Sequence, residues 1–274
     1  MKTLEQYVDT LVSRGRYTFS KAEAQNAIHA SSKGLIAAAE RLRKKRRLIS
    51  PRRGFYLILR PEDRTIGAPS PERWISPLMD YLHADYRISL LRAAAFHGSS
   101  HQAAMVFQVI APKQIREIVV GRHRIQFLYQ EPKAFEQTNR SERLSQLKSE
   151  TGFAKIAGLE LTLLDTARYF HKAGGINGAA QIVHDLGSKA DARKLAAAAK
   201  EYENSAVRRL GYLLEHFRIQ RQADALLPFA KKAKSTKLLD PSSRPLVSLT
   251  MKSSPSMPDA KWKLVINQVV EIDT

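Results

Sequence analysis

The chain has 274 residues, 43% of them apolar, and 45 Lys+Arg against 26 Asp+Glu leave a net charge of +19. Packed cores are within its means, and the charge calls for a polyanionic partner: nucleic acid, an acidic protein or an anionic membrane surface. Cysteine is absent, which excludes disulfides and thiolate metal sites, and no run approaches the ~18–20 apolar residues of a membrane span. Glu5 and Asp9 fall where a secretory leader needs basic and then apolar residues, so a soluble intracellular protein is expected.

Residues 1–64 hold 15 Lys+Arg and 6 Asp+Glu, nearly half of the excess charge in a quarter of the chain. Leu4, Val8 and Leu11 recur at helical spacing, and Gly15 stops the run. Ser20 is placed to cap a second helix over 21–29, with Ala24 and Ile28 on one face. Ser31 or Ser32 caps a third, where Leu35, Ala38, Ala39 and Leu42 define the buried stripe. At about 100° per residue the opposite face carries Lys33, Ala37, Glu40, Arg41 and Lys44, flanked by Ile36, Arg43 and Arg47.

That helix ends in Arg41-Leu42-Arg43-Lys44-Lys45-Arg46-Arg47, and Arg52-Arg53 follow in a turn before the strand-like Gly54–Leu59. Short helix, turn, basic helix and basic-tipped hairpin is the order of a winged helix-turn-helix, whose second helix enters the major groove while the wing touches the backbone. The DNA contacts expected are Ser32, Lys33, Ala37, Arg41, Lys44, Lys45, Arg47, Arg52 and Arg53. Arg41 is long enough to reach a guanine bidentately, Ala37 suits a thymine methyl, and Glu40 either accepts from cytosine or repels phosphate. The cations from Lys44 onward suit phosphates. A basic run is also what a solvated helix face looks like, and cations near a helix C-terminus favour its dipole. That alternative leaves the capped short helix and the Arg52-Arg53 pair unexplained.

Between Pro61 and Pro71 lie three prolines and a glycine in eleven residues, the best boundary in the chain. The expected division is a DNA-binding domain over 1–62, a linker over 63–70 and a larger domain over 71–274. In the latter, helices are expected around 74–83 and 89–96. Strands are expected at 106–110, 118–120, 125–129 and 153–156, with Gly121-Arg122-His123 turning a hairpin. From Glu160 to about Lys232 the pattern is helical, with stripes Leu161, Leu164, Ala167 and Leu210, Leu213, Leu214, Phe217. Short strands are expected at 246–249 and 263–266. Strands followed by helices make this an α+β domain.

Catalytic patterns are weak. His97 and His101 have the spacing of metal ligands on a helix, but Gly98 and two serines end the helix between them, and no carboxylate completes the set. Glu131-Pro132-Lys133 after a strand imitates the E-x-K of metal-dependent nucleases, with proline awkwardly central. Gly174-Gly175-Ile176-Asn177-Gly178 lacks the Lys and Ser/Thr of a phosphate loop and suits a helix–helix turn. Asp165 and Arg168 have the i, i+3 spacing of a surface ion pair. No cofactor is implied. Two alternatives to a DNA-binding regulator stay open: a metal-dependent nuclease cutting with Glu131 and Lys133, and an interaction protein whose basic surface meets an acidic partner rather than DNA.

The chain resembles the AbiEi family, antitoxins and transcriptional regulators of bacterial type IV toxin–antitoxin systems. The segments carrying the likeness are the basic amino-terminal region ending Gly54-Phe55-Tyr56-Leu57-Ile58-Leu59-Arg60-Pro61, then Leu90-Leu91-Arg92-Ala93-Ala94-Ala95-Phe96-His97-Gly98. Glu160-Leu161-Thr162-Leu163-Leu164-Asp165 and Arg208-Arg209-Leu210-Gly211-Tyr212-Leu213-Leu214-Glu215 complete it. The resemblance implies a bacterial cytoplasmic, non-enzymatic protein with an amino-terminal winged helix that binds inverted repeats in its own promoter, one protomer per half-site. It further implies a carboxy-terminal antitoxin domain that neutralises an AbiEii-like nucleotidyltransferase toxin. It supplies no toxin-contact residues. Arg208, Arg209, Arg218 and Arg221 form a basic cluster that extends the DNA footprint, faces an acidic toxin or, by default, is a solvated helix face.

Overall fold

A computed structural model describes residues 3–99, 106–243 and 257–272 of the chain. In chain order the elements are α1 (Leu4–Ser13), β1 (Thr18–Ser20), α2 (Lys21–Ile28), α3 (Ser32–Lys44), β2 (Leu48–Arg52), β3 (Phe55–Ile58), α4 (Ile75–Tyr81), β4 (Arg87–Ile88) and α5 (Leu90–Phe96). Then come β5 (Val106–Ala111), β6 (Ile118–Val120), β7 (His123–Tyr129), α6 (Pro132–Thr138), β8 (Leu144–Ser149), β9 (Gly152–Ala157), α7 (Leu159–Arg168), α8 (Gly175–Leu186) and α9 (Ala192–Ala199). The last are α10 (Asn204–His216), α11 (Gln220–Lys231), β10 (Lys237–Leu238), β11 (Met257–Asp259) and β12 (Leu264–Ile266). The fold is mixed α+β. The strand expected at 246–249 and His101 lie outside the described residues.

The chain divides into two compact units, the first made of Met1–Ile88, Met105–Pro132 and Gln146–Ile156, the second of Ser89–Ala104, Lys133–Ser145 and Ala157–Thr274. The first unit opens with three short, individually capped helices. Thr3 and Gln6 form a capping box at α1, and Ser20 and Glu23 form another at α2. Ser31, rather than Ser32, caps α3 by accepting from the Gly34 amide at 3.1 Å. Each cap satisfies amides that helix geometry orphans, worth about 1 kcal/mol apiece. His29 ends α2 in the left-handed region at φ 51°, so only three residues separate α2 from α3. One cluster buries the stripes together: Leu4, Tyr7, Val8 and Leu11 of α1, Ala24 and Ile28 of α2, Leu35, Ala39 and Leu42 of α3, and Phe19, Leu48, Tyr56 and Ile58 from the strands. Those strands form a small antiparallel sheet in the order β1-β3-β2.

The Pro61–Pro71 segment is a 3-10 turn and loop, and the buried Asp63 within it accepts from Arg60 and Arg73. Beyond α4, most of a six-stranded mixed sheet follows, in the order β6-β7-β5-β4-β9-β8. The expected hairpin is there, with Val120 opposite His123. β5 and β7 run parallel from Val106–Arg124 to Ala111–Tyr129.

The second unit is mostly helical. α7 is its centre: every residue from Leu161 to Ala167 is buried, so this helix is enclosed on all sides. Asp165 is therefore no surface residue. It is fully buried, accepts from Ser89 Oγ at 2.7 Å and from Tyr202 Oη at 2.6 Å, while Arg168 pairs instead with Glu203 at 2.9 Å. Glu131-Pro132-Lys133 follows β7, as expected, and Pro132 is the first residue of α6, a position where a missing amide costs nothing. The glycine-rich segment makes the expected turn, with Gly174 at φ 84° just ahead of α8. A three-stranded sheet, β10-β12-β11, completes the unit, and the buried Trp262 between β11 and β12 lies on Gly211 of α10.

Arg208 and Arg209 depart furthest from expectation. Neither is solvated: they are 3% and 4% exposed. Arg208 donates to the carbonyls of Ser235 (2.9 Å) and Lys263 (2.8 Å). Arg209 donates to those of Leu239 (2.7 Å) and Ala167 (2.9 Å), and stacks 4.5 Å above the Phe170 ring. Burial pushes the Arg209 guanidinium down to about 10. The two arginines pin the chain's last strands to α10. Arg218 and Arg221 are exposed.

Candidate nucleic-acid interface

The basic run at the end of α3 is sorted by what its cations touch. Leu42 is buried. Arg43 pairs with Glu40 at 2.9 Å. Arg47 is held by two carboxylates of α1, Glu5 at 2.9 Å and Asp9, and its side chain is only 24% exposed. Lys45 reaches Glu5 at 3.4 Å but stays 59% exposed. Burial would lower the Arg47 guanidinium, but the Asp9 and Glu5 carboxylates more than offset it and hold its pKa above the ordinary value. Among the described residues, Arg41, Lys44 and Arg46 have no carboxylate within ion-pair reach.

What remains unpaired forms a stripe. Lys33, Ala37, Arg41 and Lys44 follow at intervals of four, four and three on α3, and all four are exposed. Ser32, also exposed, accepts from Lys21 Nζ at 2.5 Å, which ties the start of α3 to α2. At the other end Arg46 turns the chain out of the helix at φ 51°, and the Arg47 amide closes back on the Leu42 carbonyl at 2.9 Å. The helix is thus fixed at both ends with its unpaired cations outward.

The β2–β3 hairpin splits the Arg52-Arg53 pair. Gly54, at φ 81°, makes the turn, and Ser50 Oγ crosses it to the carbonyls of Arg52 (2.7 Å) and Phe55 (2.9 Å). Arg52 ends β2 and donates to the Arg116 carbonyl at 2.9 Å, whereas Arg53 is exposed. Tyr81 Oη donates to the Arg53 carbonyl at 2.9 Å and the Lys21 amide to the Gly54 carbonyl at 2.7 Å. The hairpin tip is braced from two sides.

The expected contacts therefore divide three ways. Ser32, Lys33, Ala37, Arg41, Lys44 and Arg53 are exposed; Lys45 is exposed and loosely paired; Arg47 and Arg52 are committed within the molecule. Sequence reasoning missed Glu5, Asp9 and Tyr81 as the parts that hold this surface. The four-residue spacing of Glu5 and Asp9 puts them on one face of α1, and that was the available signal. No group of three or more His, Asp or Glu suited to a metal ion occurs among the described residues, and no helix of theirs is long and apolar enough to cross a membrane.

A model of the AbiEi antitoxin C-terminal domain family matches residues 87–216, the stretch that contains α5, α7 and α10. The comparison with curated proteins gave no match. Among solved structures, the RV2827C protein from Mycobacterium tuberculosis is similar in fold, with a TM-score of 0.61 at 16% identity over 95% of this chain and 90% of that one. The chain is similar to the AbiEi antitoxin family over residues 87–216, just under half of its length.

Proposed function

We propose that this antitoxin represses its own promoter through residues 1–62, acting as a winged helix-turn-helix on an inverted-repeat operator. Residues 71–274, after a linker at 63–70, form the antitoxin domain that neutralises a nucleotidyltransferase toxin of the AbiEii kind. The role requires no catalysis and no cofactor. The observation that carries the DNA half is the sorting of the basic run. Arg43, Lys45 and Arg47 are engaged by Glu40, Glu5 and Asp9, while the unpaired Lys33, Arg41 and Lys44 share one exposed stripe with Ala37.

In this reading α3 is the recognition helix. Arg41 reads a guanine, Ala37 packs on a thymine methyl, and Ser32, Lys33 and Lys44 set the register. Arg53 touches the backbone, while Lys45 is engaged by Glu5. Arg47 and Arg52 frame the helix and the wing. A two-fold operator takes two protomers, one per half-site. Footprinting the DNA upstream of the gene tests it: protection of two symmetric half-sites supports it, and uniform or absent protection counts against it. Rescue of growth when this chain is co-expressed with an AbiEii-like nucleotidyltransferase tests the antitoxin half.

A further inference from the structure

Acidic residues are scarce in the amino-terminal quarter, six in 64 residues, yet Glu5, Asp9 and Glu40 are all engaged with cations of the basic run. Glu5 and Asp9 stand one helical turn apart on α1 and remain 45% and 59% exposed, so burial did not force them to find a partner. Exposed pairs of this kind add little stability, about 0–1 kcal/mol each. Their effect on charge is larger. A cation held between two carboxylates is neutralised before any phosphate arrives, and binding to arbitrary DNA is the sum of phosphates neutralised.

We infer that Glu5 and Asp9 are specificity-determining residues that hold down sequence-independent DNA affinity by occupying Arg47 and Lys45. The inference rests on the DNA-binding role proposed above. On arbitrary DNA, mobile cations find phosphates in any register, so each cation released adds affinity. On the operator, base contacts of the α3 stripe fix the register, and a released cation gains only what lies within its reach. Discrimination is the difference between the two, and the carboxylates widen it by removing affinity from the non-specific side.

The test uses the full-length protein, fluorescence anisotropy and two duplexes, the upstream DNA and a scrambled version, across a salt series. For Glu5→Gln/Asp9→Asn the slope of log affinity against log salt on the scrambled duplex should steepen by about 0.9–1.8, one to two further phosphates. The preference for upstream DNA should narrow. Glu136→Gln/Glu142→Gln removes two exposed carboxylates from the second unit and should leave the scrambled-duplex slope unchanged. An unchanged slope in the Glu5/Asp9 variant, or an equal change in the control, overturns the inference while leaving the DNA-binding role standing. Should circular dichroism show the double variant unfolded, Asp9→Asn alone decides, with a steepening of about 0.9 expected and none overturning the inference. Absence of salt-dependent binding by the unmodified protein overturns both.

Discussion

Arg209 of α10 and Leu239, thirty residues later, are joined by a 2.7 Å hydrogen bond from the guanidinium Nε to the backbone carbonyl, inside the second unit. A side chain that charge alone would send to the surface instead closes the fold. Replacing it leaves the Leu239 and Ala167 carbonyls without their donor. Arg209→Ala should therefore cost about 3 kcal/mol in urea unfolding, because hydrogen bonds from charged donors are worth about 1.5–3 kcal/mol each. The same variant, assayed where it is folded, should keep the salt slope of DNA binding. A loss below about 0.5 kcal/mol, the usual surface value, would contradict the burial.

Gly211 makes a prediction of sign. In an open helix Gly→Ala stabilises by about 0.5–1 kcal/mol. Here a Cβ would fall among the Trp262 ring carbons, and Trp262 Nε1 is held in place by Glu215 at 2.6 Å. Gly211→Ala should destabilise by about 1–3 kcal/mol as overpacking, read from the urea midpoint.

Acid should unfold the second unit through its hydrogen-bonded aspartates. Burial alone would raise Asp185, but Ser99, Gln181 and His184 hold it below its ordinary value, and Ser242 and Ser243 do the same for Asp240. A carboxylate with a depressed folded pKa binds fewer protons folded than unfolded. Its contribution is present above the ordinary carboxylate pKa and is lost as pH falls through the folded one. Unfolding free energy should hold steady near neutrality and decline below about pH 4. Asp185→Asn should lower the neutral plateau and flatten that decline; a decline as steep as in the unmodified protein would count against Asp185 as a contributor.

The two proposed activities should separate. Ala at Lys33, Arg41 and Lys44 touches exposed side chains only, so the protein should fold normally, lose repression of a promoter reporter and still rescue cells from the toxin. Loss of both together would argue that one surface serves both.

Much of the local structure could be read in advance. The Leu4-Val8-Leu11 and Leu35-Ala39-Leu42 stripes, the Ser20 and Ser31 caps, and the hairpin at Gly121 are written in residues within one or two turns of each other. The exposed stripe of α3 followed from the same periodicity. What escaped depends on partners far along the chain. Arg47 meets Glu5 about 40 residues away, Arg208 meets the Lys263 carbonyl 55 away, and Asp165 meets Ser89 76 away. A basic cluster and an i, i+3 pair look the same in sequence whether solvent or a carbonyl receives them. β4 has two residues, too few for any alternation to show. α6 hid behind Pro132, a residue awkward in a strand but favoured as the first of a helix.

The central claim is that the stripe led by Arg41 reads DNA sequence. Anisotropy with the upstream duplex and its scrambled counterpart, across a salt series, tests it in the unmodified protein and in Arg41→Ala. The unmodified protein should prefer the upstream duplex, with log affinity falling against log salt by about 0.9 per phosphate neutralised. Arg41→Ala should lose about 1–3 kcal/mol on that duplex and far less on the scrambled one. Equal, weak binding to both duplexes, or equal losses on both from Arg41→Ala, would contradict the account.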